Sequence, residues 1–397
     1  MYQVKITEKD AGQRFDKYLH RILPRAGSGF LYKMLRKKNI TLNDKKADGS
    51  ERIAAGDSVA IYFSDETLAK FMGRKFSGGS RPKRADSEAA NGLNPAGNEK
   101  KYITAFETEF EADYLSAYEK IQGVRILYEN DHVLLVDKPA GVLSQKAEKT
   151  DFSLNEWLIG YLLKSGAVTE EELVGFKPSV CNRLDRNTSG IVLCSKSLKG
   201  AQLLGELLKN RTLHKYYRLY VKGTIKDEQI IEGYLIKDEA LNKVYFEPVS
   251  SHISNDLQGK KQEEAHKKEE VHKKTAQTQT YKAMKSLKEI KSSYIKTGYK
   301  PVRAEHDKTL LEVELFTGKT HQIRAHLAGI GHPLLGDPKY GDMAWNEEYR
   351  KKYHVRSQLL HAYKVVFPQL EEPFGDLSGR SYIAEMPEIF SRVSDET

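Results

Sequence analysis

Two stretches without a regular apolar pattern divide this chain of 397 residues and limit where compact cores can form. In residues 66–118, seven glycines and prolines interrupt any periodicity, which is typical of a linker, although 102–118 also fit a short helix. Residues 249–275 are rich in lysine and glutamate and poor in large apolar side chains, which indicates a charged surface insertion. We therefore predict a small unit at 1–65, a linker at 66–118 and a larger unit at 119–397 that carries the insertion.

The first unit is predicted to contain helices followed by strands. Apolar residues at helical spacing in 13–23 predict a helix that Pro24 ends, and a second apolar stripe covers 30–35. Short strands are expected at 40–42 and 59–63. The second stripe is accompanied by a cluster of positive side chains: Lys33, Arg36, Lys37 and Lys38.

The larger unit shows strands with few helices between them. Strands are predicted at 133–136, 191–194, 216–221 and 310–316, and a helix at 198–208. In the strand at 310–316, the alternation places Leu311, Val313 and Leu315 on one face and Leu310, Glu312, Glu314 and Phe316 on the other. This order favours the α+β class with a mixed, mostly antiparallel sheet over a doubly wound parallel sheet.

The charge distribution indicates a polyanionic partner. The net charge is +9, and residues 1–65 contribute 13 Lys and Arg against 8 Asp and Glu. Such a basic segment suits contact with RNA, although a solvated surface would look the same. No apolar run is long enough for a membrane helix, and the first ten residues lack the core of a secretory signal. With only two cysteines, we expect a reducing, cytoplasmic setting.

A polar, turn-rich segment at 182–190 is the strongest candidate for chemistry. It precedes a predicted buried strand, and it places Asp185 between Arg183 and Arg186. Neighbouring positive charges favour an ionised carboxylate, which can act as a nucleophile or a base. From these residues alone, a structural turn in which Asp185 caps its own backbone stays the alternative.

A second polar segment covers residues 317–326. Gly318, Lys319 and Thr320 resemble the end of a phosphate-binding loop, but Val313 stands where that loop requires glycine. His321 and His326 are five residues apart and would not share a helix face, and no carboxylate or thiolate pattern accompanies them. We therefore predict neither a metal site nor a cofactor, and we expect these histidines to be structural or to contact RNA.

The chain resembles the RluA-type pseudouridine synthases in four motifs, which occur in the family's order. Residues 182–193 resemble the family's catalytic His-Arg-Leu-Asp-x-x-Thr-Ser-Gly segment and the strand that follows it. The upstream Lys-Pro-x-Gly turn is matched at 137–141 and the Lys-x-Tyr strand at 215–223. The Thr-Gly-Arg-x-His-Gln-Ile-Arg block is matched at 317–341. In addition, residues 1–65 resemble an S4-like RNA-binding domain.

This resemblance implies a fold and an activity. The fold would be an α+β pseudouridine synthase domain with a mixed, mostly antiparallel sheet, preceded by a small S4-like domain. The activity would be isomerisation of uridine to pseudouridine in RNA without cofactor or metal, on a base flipped out of its helix. Large-subunit ribosomal RNA is the expected substrate and transfer RNA the first alternative. The protein would be a cytoplasmic monomer.

The resemblance also assigns roles to residues. Asp185 matches the catalytic aspartate, Arg324 the arginine that pairs with it, and Tyr217 the tyrosine that stacks on the base. The substrate or RNA contacts would be made by Arg183, Ile323, Asn182, Lys319, His321, Lys33, Arg36 and Lys37. Two positions depart from the family pattern, because Asn182 replaces histidine and Lys319 replaces arginine. A lysine keeps the charge but loses bidentate phosphate geometry.

Two competing functions are weighed against this one. A non-catalytic RNA-binding or ribosome-assembly protein would keep phosphate contacts, but it would not need Asp185, Tyr217 and Arg324 together. A hydrolase that uses Asp185 as a base would need a second catalytic acid or a metal, and the sequence indicates neither.

Overall fold

A computed structural model describes most of the chain as two units. The described residues are 2–72, 113–170, 172–238, 243–248 and 292–394. One unit contains Met1–Arg186 and Val192–Lys209, and the other contains Asn187–Ile191 and Asn210–Thr397. Most of the predicted linker and the whole of the predicted insertion lie outside the described residues. Within the described part, no helix is both long and apolar enough to span a membrane.

The N-terminal part of the first unit is a four-stranded antiparallel sheet with helices packed against it. The strand order is β1-β4-β2-β3. The elements are β1 (Tyr2–Lys5), α1 (Phe15–Ile22), α2 (Ser28–Arg36), β2 (Ile40–Leu42), β3 (Lys45–Lys46), β4 (Ser58–Ile61) and α3 (Asp65–Met72). The predicted helix at 13–23 and the strand at 40–42 are confirmed. Helix α3 adds Leu68 and Met72 to the same apolar core, so this packed region continues beyond the predicted end at residue 65.

The N-terminal part packs directly against later residues of the first unit. The Lys9 ammonium donates to the Ala167 carbonyl at 2.7 Å and pairs with the Glu172 carboxylate at 3.0 Å. Arg21 donates to the carbonyl of Gly175 at 3.2 Å. A Cβ atom at position 175 would lie 2.4 Å from an oxygen of the buried Asp10 side chain, so a larger residue there would displace Asp10. These contacts group residues 119–186 with the N-terminal residues in one unit, and the predicted domain boundaries stay a prediction.

The rest of the first unit surrounds one completely buried strand. Every residue of β6 (Val133–Lys138) is buried, which explains the uninterrupted apolar run that predicted a strand here. Ser153 caps helix α4 (Leu154–Lys164), because its hydroxyl accepts from the Asn155 amide. The elements are β5 (Arg125–Glu129), β6 (Val133–Lys138), α4 (Leu154–Lys164), α5 (Glu172–Gly175), β7 (Ser179–Val180), β8 (Ser189–Ser195) and α6 (Leu198–Asn210). The first three residues of β8 belong to the second unit.

The second unit is built on an antiparallel run of strands in the order β11-β10-β12-β13-β9-β14. Strand β15 extends it beside β14, and β14 pairs in parallel with the start of β8 at Ser189 and Gly190. The mixed, mostly antiparallel sheet and the α+β class are therefore confirmed. The strands are β9 (His214–Lys222), β10 (Gln229–Asp238), β11 (Lys243–Pro248), β12 (Ser292–Ala304), β13 (Lys308–Leu315), β14 (Leu360–Val366) and β15 (Ser381–Ile383). The helices are α7 (Gln322–Gly329), α8 (Met343–Tyr353) and α9 (Glu388–Arg392).

Candidate active site

The loop that carries Asp185 joins β7 to β8, and its backbone is held on both sides of the carboxylate. Before Asp185, the Ser144 hydroxyl donates to the Leu184 carbonyl at 2.9 Å and accepts from the Leu184 amide at 3.0 Å. After Asp185, the Gly141 amide donates to the Arg186 carbonyl at 2.9 Å. Asp185 itself is partly exposed. A fixed backbone with an accessible side chain is what a positioned reactive carboxylate requires.

Lys138 anchors this loop from inside the protein. Its side chain is fully buried, and its ammonium donates to three backbone carbonyls, of Pro139 at 3.0 Å, Val142 at 2.7 Å and Arg186 at 3.0 Å. Burial lowers the pKa of Lys138 to about 7, and the negative charges of Asp185 and Asp137 oppose that shift. The lysine thus joins the turn at 137–142 to the residue directly after Asp185.

Arg324 lies in α7 and forms a buried ion pair with Asp337. Its Nε donates to Oδ2 of Asp337 at 2.7 Å and its Nη2 to Oδ1 at 2.9 Å. Burial alone would raise the pKa of Asp337, but the hydrogen bonds and charge of Arg324 outweigh it and lower that pKa below the usual value. The Arg324 guanidinium also lies 5.3 Å from the ring centre of Tyr340. This arrangement fixes the plane of the guanidinium.

The turn before α7 is fixed by Gln322. Its Oε1 accepts from the Thr317 hydroxyl at 2.9 Å and from the Lys319 amide at 3.1 Å. Its Nε2 donates to the Thr297 hydroxyl at 3.0 Å. His321 adopts a left-handed backbone conformation with φ 56°, and its Nδ1 lies 3.0 Å from the Tyr340 hydroxyl. Side-chain hydrogen bonds therefore hold the start of the polar segment 317–326 at Thr317 and Lys319, and its middle at His321.

The other predicted residues lie as follows. Tyr217 lies on β9 opposite Val313 and is 7% exposed, and Ile323 is buried at the start of α7. Arg183 and Lys319 are exposed. Asn182 accepts from the Leu193 amide at 2.7 Å, so this side chain supports the strand after the loop. Around the end of α2, four exposed side chains form the predicted positive cluster: Lys33, Arg36, Lys37 and Lys38.

Sequence reasoning missed the residues that support the predicted ones. The sequence analysis assigns no role to Ser144 or Asp337, and it includes Lys138 only as part of the turn motif at 137–141. The sequence did offer a hint for Asp337, because this residue lies within the fourth motif at 317–341, in the turn-rich segment that follows Arg324. The predicted pairing of Arg324 with Asp185 stays a prediction.

Comparison with known proteins indicates the class of enzyme to which this chain is similar. Residues 132–329 match the family model described as RNA pseudouridylate synthase. An uncharacterised RNA pseudouridine synthase of Mycoplasma genitalium is 26% identical over 92% of this chain and 89% of its own length. Ribosomal large subunit pseudouridine synthase C of Vibrio vulnificus is 26% identical over 93% of this chain and 90% of its own. The solved structure of human RNA pseudouridylate synthase domain containing 4 covers 71% of this chain and 95% of that one, with 19% identity and a TM-score of 0.48.

The family match includes the Asp185 loop and the Arg324 helix, and together with the curated relatives it identifies the protein as an RNA pseudouridine synthase. More narrowly, the chain belongs to the RluA-type pseudouridine synthases, as its four motifs indicate.

Proposed function

We propose that this chain converts specific uridines of large-subunit ribosomal RNA into pseudouridine. The names of its relatives from Vibrio and Rickettsia support this RNA class. In the reaction the bond between N1 of uracil and C1′ of ribose breaks, and a bond from C5 to C1′ forms. The proton leaves C5 and N1 gains one, so atoms balance without a co-reactant. The chemistry therefore needs positioned protein groups and a flipped base rather than a cofactor.

Asp185 is the group that we assign to the glycosidic rearrangement. The observation that carries this assignment is its partly exposed carboxylate on a backbone held by Ser144 and Lys138. An ionised carboxylate either attacks as a nucleophile or stabilises the cleaved intermediate. In this proposal, Arg183 helps to displace the target base and occupies its place.

The remaining roles follow from the family resemblance. Tyr217 stacks on the flipped base, Ile323 packs against it, and Arg324 pairs with Asp185 and aligns its carboxylate. Asn182, Lys319 and His321 contact RNA near the target nucleotide. The S4-like region binds phosphates through Lys33, Arg36 and Lys37, because lysine and arginine position RNA without reading its sequence. We propose that the protein acts as a monomer in the cytoplasm.

Tritium release tests this function directly. Large-subunit ribosomal RNA and transfer RNA, each labelled at C5 of uridine, are incubated separately with wild type, Asp185→Asn and Asp131→Asn. Asp131 is an exposed aspartate of the same unit and serves as the matched control. We expect release from ribosomal RNA by wild type and by the control, and none by Asp185→Asn.

RNA binding by each variant is measured in parallel by filter retention. Release from transfer RNA alone would replace the proposed substrate. Tight binding of ribosomal RNA without release by wild type would favour the assembly-protein function. Release by Asp185→Asn at the wild-type rate would remove Asp185 from the mechanism.

A further inference from the structure

Lys215 lies on the sheet face that carries Tyr217, two positions before it in β9. Successive residues of a strand alternate between the two faces, so these two side chains share one. The register of β12, β13 and β9 places Thr297 on the same face. Helix α7 packs there too, because the Gln322 amide at its start donates to the Thr297 hydroxyl at 3.0 Å. Lys215 is therefore on the side of the sheet that holds Tyr217 and α7.

The Lys215 ammonium lies beside Gly318, in the segment that leads into α7. A Cβ atom at position 318 would lie 3.9 Å from Nζ of Lys215. Apart from the two residues that flank Gly318 in the chain, no other atom of the described residues would come within 4 Å of that Cβ. Gly318 and Lys319 are both exposed. The space between the ammonium and this segment is therefore open.

Lys215 has no anionic partner in the part of the chain that the structure describes. Its ammonium forms neither a hydrogen bond nor an ion pair there, although the side chain is partly buried. Glu314 of the neighbouring strand pairs with His214, on the opposite face. Burial and the positive charge of Arg211 lower the pKa of Lys215. Because buried charges are normally paired, this ammonium is suited to an anion that comes from outside the chain.

We propose that Lys215 binds a phosphate group of the RNA strand next to the target uridine. This inference rests on the proposed function, in which Tyr217 stacks on the flipped base. Two residues along a strand advance by about 7 Å, so a base on Tyr217 brings its own sugar–phosphate backbone within reach of the ammonium. Lysine binds phosphate as a compact charge, and a phosphate restores the charge balance that the protein leaves open.

The segment beside the ammonium supports a phosphate over a carbonyl of the base. Gly318, Lys319 and Thr320 resemble the end of a phosphate-binding loop, although Val313 excludes the complete loop. Lys215 adds a second lysine to this segment from β9. A phosphate carries a full negative charge, whereas a uracil carbonyl carries only a partial one and would leave the ammonium uncompensated.

The test compares wild type with Lys215→Met, Lys215→Arg and Lys226→Met in the full-length chain. Methionine keeps the apolar stem and removes the charge, and arginine keeps the charge. Lys226 is an exposed lysine beyond the other end of β9 and serves as the matched control. For tritium release from labelled large-subunit ribosomal RNA, we expect KM to rise about tenfold in Lys215→Met and kcat to stay within about twofold. A contact that forms equally in the ground and transition states changes binding rather than chemistry.

The salt dependence of binding identifies the group that Lys215 contacts. Filter retention of the same RNA is measured over a range of potassium chloride concentrations. Each phosphate contact contributes roughly 0.7 to 0.9 to the slope of log K against log salt. We expect the slope to decrease by about one such contact in Lys215→Met, and to keep its wild-type value in Lys215→Arg and Lys226→Met.

Urea unfolding separates this role from a structural one. Since the Lys215 ammonium forms no bond within the described residues, Lys215→Met should be at least as stable as wild type. A loss of stability large enough to explain the loss of activity would make Lys215 a structural residue and overturn the proposal.

Two further outcomes would overturn it. An unchanged KM in Lys215→Met would exclude contact with the substrate. A raised KM with the wild-type salt slope would assign the ammonium to an uncharged group, such as a carbonyl of the base. The slope is measured without turnover, so a wild type that binds RNA but releases no tritium would remove the proposed function and leave the Lys215 result interpretable.

Discussion

Arg324 and Asp337 form a bidentate ion pair in which both side chains are almost completely buried, with N–O distances of 2.7 and 2.9 Å. Asp337 also accepts from the backbone amides of Lys339 at 2.8 Å and Tyr340 at 3.0 Å. The Asp337 carboxylate therefore accepts hydrogen bonds both from the Arg324 guanidinium and from the backbone of the turn after α7. Because two parallel hydrogen bonds fix the guanidinium plane, Asp337 determines how Arg324 is presented.

We expect Asp337→Asn to destabilise the protein by about 3 to 5 kcal/mol, because it takes the carboxylate charge away from the buried guanidinium of Arg324. Urea unfolding at pH 7 measures this change. Glu347→Gln is the control, since the exposed pair of Glu347 with Arg350 contributes about 1 kcal/mol at most. Equal losses in the two variants would contradict the buried-pair interpretation.

Since the pKa of Asp337 is lowered, its stabilising contribution should persist at neutral pH and be lost as the pH falls below about 4.

Lys138→Met should weaken both the fold and the reaction. The substitution keeps an apolar stem but removes the ammonium that donates to three carbonyls. The Arg186 carbonyl keeps its bond from the Gly141 amide, whereas a buried acceptor left without any donor costs about 1 to 3 kcal/mol. One of these carbonyls belongs to Arg186, directly after Asp185, so we expect kcat for tritium release to fall more than the folded fraction does. Lys164→Met, at an exposed lysine of the same unit, should change neither quantity. An unchanged kcat in Lys138→Met would show that the loop keeps its geometry without this anchor.

Local patterns predicted the strands well, whereas the supports of the site depend on contacts between distant segments. The alternation in β13 is a property of neighbouring residues, so the faces of Val313 and Glu314 could be predicted and are confirmed. The bond from Lys138 to Arg186 spans 48 positions. That from Ser144 to Leu184 spans 40. The spacing of apolar residues within one helix or strand cannot predict pairs that lie so far apart in the sequence. The sequence assigned Asp185 as the carboxylate partner of Arg324, whereas the ion pair with Asp337 depends on the turn that follows α7.

Ser189 and His361 join the start of β8 to β14. The Ser189 hydroxyl lies 2.8 Å from Nδ1 of His361, and Nε2 of the same ring lies 3.4 Å from the Ala384 carbonyl. A carbonyl at Nε2 requires a proton there, so the serine hydroxyl donates to Nδ1. Ser189→Ala should therefore cost about 1 kcal/mol of unfolding free energy, measured by urea titration. Ser391→Ala, at an exposed position of the second unit, is the control, and an equal loss there would contradict a specific bond.

His326 should make the second unit sensitive to acid. The ring is fully buried, its Nδ1 lies 3.0 Å from the Thr297 hydroxyl, and its Nε2 has no hydrogen-bond partner among the residues that the structure describes. Burial lowers the pKa of His326 to about 4 from the usual 6.5. Between these values the unfolded chain binds a proton that the folded chain excludes, so the free energy of unfolding falls as the pH decreases.

From pH 7 to pH 5, this single group should remove about 2 kcal/mol of stability, at about 1.4 kcal/mol for each pH unit below 6.5. Urea unfolding at the two pH values measures the loss in wild type and in His326→Gln, which cannot take up a proton. His354→Asn, at an exposed histidine whose left-handed backbone asparagine tolerates, should lose as much as wild type. If His326→Gln also lost about 2 kcal/mol, the acid sensitivity would belong to other groups, and His326 would be protonated in the folded protein at pH 5.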